Sequence, residues 1–239
     1  MPRFFTTNIS EDQVFIEGED AAHLTKVLRA KAGDEIIVCD MAGTDYVCSI
    51  TQLDKSCVTA EILSSAPCEA EPKSKITLYQ SLPKGDKMEL IVQKAVELGV
   101  CEIVPVITKR CVSRPDSAAL KKKTDRWQKI AAEAAKQSGR GIIPQVKEAV
   151  SYQQALQMAG DCPRKILFYE QATVPLKGLL ANPAQTAVFI GPEGGYEEEE
   201  VAWAKEAGVN ICTLGKRILR CETAPMAALA IILASEELL

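Results

Sequence analysis

Thr186-Ala187-Val188-Phe189-Ile190-Gly191-Pro192-Glu193-Gly194-Gly195-Tyr196-Glu197-Glu198-Glu199-Glu200 is the stretch that decides the fold. Thr186 to Ile190 contain no Gly, Pro or charge and read as a strand buried on both faces. The glycine-rich turn leads straight into a helix over about 197–207 whose acidic first turn suits the positive end of the helix dipole. A fully buried strand, a turn and a helix make up the repeating unit of a parallel α/β sheet. Glycines at that turn let backbone approach a ligand at the C-terminal edge of the sheet, where such folds bind small molecules. A tight turn with no ligand is the alternative.

Glu197 to Glu200 would repel a phosphate placed at the helix start, and neither GxGxxG nor GxxxxGK[ST] occurs. Dinucleotides and nucleoside triphosphates therefore lose their usual support, whereas a donor without phosphates, such as S-adenosylmethionine, stays compatible.

Working outward, strands are expected over 75–80, 102–107, 165–169 and 210–214, with helices over about 86–98 and 118–138 between them. Asp86 with Glu89 three residues on reads as a capping box, Met88, Ile91, Val92, Ala95 and Leu98 face inward, and Gly99 stops the helix. A last helix from about Ala224 is apolar all round, with Thr223 as N-cap, so burial is expected on every side, by the core or by a second subunit. Before 63 the pattern differs. Short β-branched runs at 13–16, 35–39, 45–50 and 57–62, with one helix over about 20–30 carrying His23, Leu24, Val27 and Leu28 on one face, suggest a small barrel or curled sheet. Residues 64–74, with Pro67 and Pro72, read as a linker.

The 239 residues, 47% hydrophobic and 25% charged, suit an ordinary globular protein rather than a disordered or fibrous one. No signal-peptide core opens the chain and the apolar run 224–234 is too short to cross a bilayer, so a cytoplasmic protein without a membrane partner is expected. Nine cysteines without a CxxC pair, and a single His, point to free thiols and no metal. A net charge of −4 argues against wholesale nucleic-acid coating. Yet from Lys109 to Arg140 ten Lys or Arg face only three acids, which suggests a localised polyanion site. Lys122, Arg126, Lys129, Lys136 and Arg140 form a stripe along the long helix, beside an apolar face with Leu120, Trp127, Ile130, Ala131 and Ala134. The stripe reads either as a solvated face or as an RNA phosphate contact. Leu214-Gly215-Lys216-Arg217-Ile218-Leu219-Arg220-Cys221-Glu222-Thr223-Ala224 mixes apolar anchors with several charges between a strand and the last helix, a combination more often functional than a solvated connection.

Several of these pieces together resemble one family. Arg3-Phe4-Phe5, His23 with Val27-Leu28-Arg29, Pro83-Lys84-Gly85-Asp86, Lys94-Ala95-Val96-Glu97-Leu98-Gly99, Gln137-Ser138-Gly139-Arg140, Ile190 to Gly195 and Leu214 to Ala224 are similar to the bacterial 16S ribosomal RNA uridine N3-methyltransferases. That family is part of the knotted (SPOUT) methyltransferase superfamily. Cys221 stands where the family pattern has Thr, Lys136 where it has an acid, and Tyr196 where Phe is usual. The resemblance implies a PUA-like RNA-binding β-barrel over 1–70 and a SPOUT α/β domain with a deep trefoil knot over 73–239. General topology rules would not lead one to expect the knot.

The resemblance also implies a homodimer, a 16S rRNA substrate within the small ribosomal subunit, and S-adenosylmethionine held by two loops. One carries Ile190, Gly191, Pro192, Glu193, Gly194 and Gly195; the other carries Leu214, Gly215, Ile218, Leu219, Arg220, Thr223 and Ala224. Because N3 of uridine is a poor nucleophile until it loses its proton, the reaction needs a cation and a base. Arg220 is the candidate for stabilising negative charge on the uracil. Glu222 is the candidate proton acceptor, with a helix-start carboxylate or an Arg partner as its alternative. RNA contacts are expected from Arg3, Lys26, Arg29, Lys84, Lys122, Arg126, Lys129 and Arg140. Two other readings compete: a non-catalytic RNA-binding protein of the same fold, and a superfamily methyltransferase acting on ribose or transfer RNA.

Overall fold

The computed structural model describes residues 1–54, 56–180 and 184–237, and the chain falls into two compact units. The first comprises Met1–Glu71 and Ala135–Ile143, the second Pro72–Ala134 and Pro144–Leu239.

In the first unit β1 (Arg3–Phe5), β2 (Gln13–Glu17), β3 (Glu35–Cys39), β4 (Thr44–Leu53) and β5 (Cys57–Pro67) form a curled five-stranded sheet in the order β1-β3-β4-β5-β2. The strands alternate, so Phe4, Val14, Ile16, Ile36, Val38, Cys48, Ile50, Val58 and Ala60 meet in one core. Two register shifts between β4 and β5 sharpen the curl. The expected linker over 64–74 begins as strand, because the exposed residues of β5 up to Pro67 pair with Thr44 to Val47. Backbone pairing decides there, where the polar side chains read as loop.

The helix expected over 20–30 is shorter and of two kinds. Helix α1 (Gly18–Ala22) passes into a π-helical turn over His23–Val27, closed by Leu28 N–H donating to the His23 carbonyl. The extra residue in that turn rotates Val27 and Leu28 away from the face of Leu24. Leu24 is buried, while Val27 and Leu28 are 65% and 44% exposed.

The second unit holds a parallel sheet in the order β12-β10-β11-β6-β7-β8, with a short β9 also on β7. Its strands are β6 (Ile76–Ser81), β7 (Glu102–Ile107), β8 (Gln145–Val146), β9 (Val150–Ser151), β10 (Arg164–Phe168), β11 (Thr186–Ile190) and β12 (Asn210–Cys212). Every residue of β11 is buried, as its uninterrupted apolar run requires. The helices are α2 (Lys87–Glu97), α3 (Ser117–Ser138), α4 (Tyr152–Met158), α5 (Glu198–Glu206) and α6 (Thr223–Glu237). On one face Tyr79 stacks on Phe189 with ring centroids 4.5 Å apart, among residues of α4 and α5. Helices α2 and α6 pack together, and α6 also packs on β6 and β11.

Three capping and burial expectations change. Asp86 makes no side-chain cap, and the Glu89 carboxylate, rather than reaching back to close a box, pairs with Arg126 at 2.8 Å. Thr223 lies inside α6 rather than before it, and its N–H and that of Ala224 both donate to the Arg220 carbonyl. Helix α6 buries Ala228, Leu229, Ile232 and Leu233, but Ile231 remains 47% exposed rather than enclosed.

Candidate functional site

Strands β10, β11 and β12 end side by side, so the segments leaving them converge at the C-terminal edge of the sheet. Phe168 to Glu170, Ile190 to Tyr196 and Thr213 to Cys221 with Ala224 line one cavity of about 540 Å³, within the range of about 300–1,000 Å³ usual for small-molecule sites. The cavity brings together Ile190, Gly191, Pro192, Glu193, Gly194 and Gly195 with Leu214, Gly215, Ile218, Leu219, Arg220 and Ala224. Thr223 and Glu222 are not on its wall. Ile218, expected as an apolar anchor, is 86% exposed.

The glycine turn is held from outside. Gly195 has φ +68°, a left-handed conformation that an L side chain adopts only at a cost, and a Cβ there would lie 3.1 Å from Oε1 of Glu170. Gly194 lies against Arg110, whose Cβ would be 3.2 Å from a Cβ on the glycine. Arg110 donates to the Gly194 carbonyl at 2.8 Å and forks onto the Glu197 carboxylate at 2.9 and 3.1 Å. That guanidinium holds the Glu197 carboxyl below the usual range. Buried Glu200 accepts from the Lys109 amide at 2.8 Å and from the Glu197 amide at 2.9 Å. Lys109 itself pairs with Glu199 and lies 5.2 Å from the centre of the Trp203 ring. The first turn of α5 is therefore satisfied internally, and three of its four glutamates, Glu197, Glu199 and Glu200, anchor the loop after β7.

A second charged cluster borders the cavity. Lys87 Nζ lies 2.9 Å from Glu193, 3.4 Å from Glu222 and 3.9 Å from the Cys221 sulfur, while the Lys84 amide donates to Glu193 at 3.1 Å. Burial opposes ionisation of Glu222, but the Cys221 thiol at 3.1 Å, its own amide and Lys87 outweigh it and hold the carboxyl below its ordinary value. Glu193 is held low in the same sense by Lys87 and backbone amides. Burial, then the hydrogen bond to Glu222, pushes the Cys221 thiol up to about 12, so it is no thiolate nucleophile. The partner of Glu222 is thus a lysine, not an arginine. Arg220 is exposed on the cavity wall, and its side chain makes no ion pair among the described residues.

The remaining candidates are spread out. Lys122, Arg126 and Lys129 are exposed on α3, Arg126 in its pair with Glu89, and Lys84 is exposed after β6. Within the first unit Lys26 and Arg29 are exposed, whereas Arg3 and Arg140 are partly to fully buried in ion pairs with Asp45 and Glu71 at 2.7 and 2.8 Å. Lys136 pairs with Asp20. Half of the cations counted over 109–140 are thus engaged in ion pairs within the chain. Sequence reasoning missed Lys87, Arg110, Glu170 and Glu200. Lys87 follows the quoted Pro83 to Asp86 motif directly, and Glu200 sits three residues after Glu197, the spacing of a helix cap.

S-adenosylmethionine fits these residues. The wall offers Glu170 and Glu193 for a sulfonium and an ammonium, and Lys216 and Arg217 for a carboxylate, around a turn of backbone glycines and the apolar Ile190 and Leu214. Among the described residues no group of three or more His, Cys, Asp or Glu is placed to hold a metal ion, and no helix is long and apolar enough to cross a membrane.

Comparison with known proteins bears on the same regions. The family model described as RNA methyltransferase domain matches residues 69–233, and that described as RNA methyltransferase PUA domain matches residues 16–63. Ribosomal RNA small subunit methyltransferase E of Bacillus subtilis is 36% identical over 252 residues, covering 100% of this chain and 98% of the relative. The protein of that name from Mesomycoplasma hyopneumoniae is 35% identical, covering 94% and 95%. Among solved structures, the Neisseria gonorrhoeae ribosomal RNA small subunit methyltransferase E bound to S-adenosyl methionine superposes with a TM-score of 0.87 at 38% identity, covering 97% of this chain and 96% of that one.

Proposed function

The chain belongs to the RNA methyltransferase family of these relatives, and from that membership we propose that it methylates N3 of one uridine in 16S rRNA, using S-adenosylmethionine. The observation that carries the reading is the cavity formed by the 190–196 and 213–221 segments, with Arg220 on its wall, a side chain that makes no ion pair among the described residues. When bound, the donor supplies an electrophilic methyl group. The chain's own residues must hold the uracil, stabilise the anion left when N3 loses its proton, and keep water out.

Arg220 takes the stabilising role, since its guanidinium is always charged and unspent. Glu222 takes the proton. Lys87 and Cys221 keep it ionised, so it is ready as an acceptor but, with its basicity lowered, relies on Arg220 to acidify N3. The donor is held by Ile190, Gly191, Pro192, Glu193, Gly194, Gly195, Leu214, Gly215, Ile218, Leu219, Arg220 and Ala224, to which Glu170 is added on the strength of its place against Gly195, while Thr223, off the wall, serves the start of α6 instead. RNA is gripped by Lys84, Lys122, Arg126 and Lys129 of the second unit and by Lys26 and Arg29 of the first. Arg3 and Arg140, proposed from the sequence for the same task, instead brace the first unit through Asp45 and Glu71.

The finer architecture is proposed in the same spirit: a PUA-like barrel over 1–70, a SPOUT domain over 73–239 with its C-terminal segment threaded as a trefoil knot, and a cytoplasmic homodimer acting on small subunits. Parallel strands β10 to β12 whose loops meet at one cavity support the threading. Exposed Ile231 on otherwise apolar α6 and Leu90 on neighbouring α2, 44% exposed, support the dimer.

The test is incubation with labelled S-adenosylmethionine and 16S rRNA, free and as small subunits from cells lacking the enzyme, followed by mapping of the modified nucleoside. Label at N3 of one uridine is expected. Label elsewhere overturns the substrate, and donor binding without label on either RNA overturns the rRNA reading. Absence of donor binding overturns catalysis in favour of an RNA-binding protein.

A further inference from the structure

The first unit carries seven Lys or Arg against thirteen Asp or Glu, so it is acidic as a whole. Three of its cations are committed to ion pairs: Arg3 to Asp45, Lys136 to Asp20 and Arg140 to Glu71. Among the described residues the cations whose side chains make no ion pair are Lys26, Arg29 and Lys31, all exposed and all within six residues. Between them stand Val27 and Leu28, 65% and 44% exposed. The π-helical turn explains how two large aliphatic side chains come to face water, and such turns recur at functional positions.

The backbone adds a second reason. The turn ends with Ala30 N–H donating to the Leu24 carbonyl and Arg29 at φ +52°, the helix-end position normally given to glycine. A left-handed arginine costs about 1 kcal/mol relative to glycine, a strain that packing does not require, since the side chain is exposed. Placing it there aims a guanidinium outward beside Leu28.

We propose that Val27 and Leu28 form an apolar platform for one unstacked base of single-stranded RNA, with Lys26, Arg29 and Lys31 on the phosphates around it. The inference deepens the RNA methyltransferase reading and rests on it. Charge complementarity selects a polyanion, since among the described residues these three cations make no ion pair on an otherwise acidic unit, and the match of residues 16–63 to the RNA methyltransferase PUA domain selects RNA among polyanions. Aliphatic side chains can wedge against bases and unstack them, and cations alongside track the backbone of a single strand.

The experiment compares wild-type full chain, V27S/L28S and K26A/R29A by fluorescence anisotropy on a single-stranded RNA oligonucleotide and its duplex, over a range of salt. Since Val27 and Leu28 already face solvent, V27S/L28S should keep the wild-type melting temperature and donor affinity. It should lose about fivefold to tenfold in single-strand affinity, the lower end for a base contact, with an unchanged salt slope and an unchanged duplex affinity. K26A/R29A should lower the salt slope by about 1.4, two phosphates' worth on a single strand. Wild-type binding by V27S/L28S, or equal losses on single strand and duplex, overturns the platform while leaving rRNA methylation by the wild type to report on the parent reading. Failure of the wild type to bind the single strand overturns the platform as well, and rRNA methylation by the wild type again reports on the parent reading.

Discussion

Substituting Glu200 by Ala isolates what holds the donor loop in place. The carboxylate is 1% exposed and accepts two backbone amides, from Lys109 at 2.8 Å and Glu197 at 2.9 Å. A hydrogen bond to a charged group contributes about 1.5–3 kcal/mol, and loss of a helix cap costs about 0.5–2 kcal/mol. Removal of the side chain also abolishes the desolvation penalty of a buried carboxylate, which offsets part of the loss. The net expectation is destabilisation of about 2–4 kcal/mol, or a fall in melting temperature of roughly 5–15 °C for a unit of this size. Glu197 would then lose its amide partner, and with it the registry of the Arg110 fork onto Glu197 and Gly194. Donor affinity should therefore fall about tenfold by titration calorimetry, at a temperature where the protein is still folded. Glu200→Gln, which keeps one acceptor, should fall between wild type and Ala in both measurements. A melting temperature within about 2 °C of wild type for Glu200→Ala would refute the energetic reasoning. Full destabilisation with unchanged donor affinity would refute the link from cap to loop.

Three further outcomes are expected. Arg220→Ala should lose turnover about 100-fold or more with a change of less than about fivefold in donor affinity, and equal losses would refute a role on the reacting base beyond donor binding. Lys87→Met removes a cation that holds Glu222 ionised, so the carboxyl should rise and the acid limb of the turnover-against-pH profile should move to higher pH; a limb that stays in place removes Glu222 as the titrating base. Ile231→Asp places a charge on the exposed apolar side of α6; if the proposed dimer forms through that side, the wild type should sediment as a dimer and the variant as a monomer, with little change in the helical signal because the residue is 47% exposed in one chain, and a wild-type monomer would refute the dimer.

What the sequence made legible is what side-chain chemistry alone decides. The buried runs of β6, β7, β10 and β11 have no polar alternative, so the parallel sheet followed from them. The two loops were legible because glycine clusters and mixed charges are unusual next to such strands. Strand β1, by contrast, is three residues long and exists by pairing in parallel with β3, more than thirty residues on. Strands β8 and β9 have two residues each. Helix α4 was within reach, since Ser151 and Gln154 make a reciprocal capping box that the spacing advertises. The ion pairs of Lys87 and Arg110 join positions about 85 to 135 apart in sequence, and no local pattern announces a partner at that distance.

Those pairings decide how strongly binding of RNA should depend on salt. Ten cations between Lys109 and Arg140 together with Lys26, Arg29 and Lys31 would, if all met phosphates of a single strand, give a slope of log affinity against log salt near 9. Lys109, Arg110, Arg126, Lys136 and Arg140 are engaged by Glu199, Glu197, Glu89, Asp20 and Glu71, and Arg114 donates to backbone carbonyls. Lys121, Lys122, Lys123 and Lys129 join the three of the first unit as side chains without an ion pair among the described residues, and seven contacts give a slope of about 5. A measured slope near 5 fits RNA bound with the internal ion pairs intact. A slope near 9 would mean that internal ion pairs open on binding, and with them the clamps on Gly194 and on the first turn of α5. Loop order and RNA binding would then be coupled through the same arginine, and donor affinity would change when RNA is added.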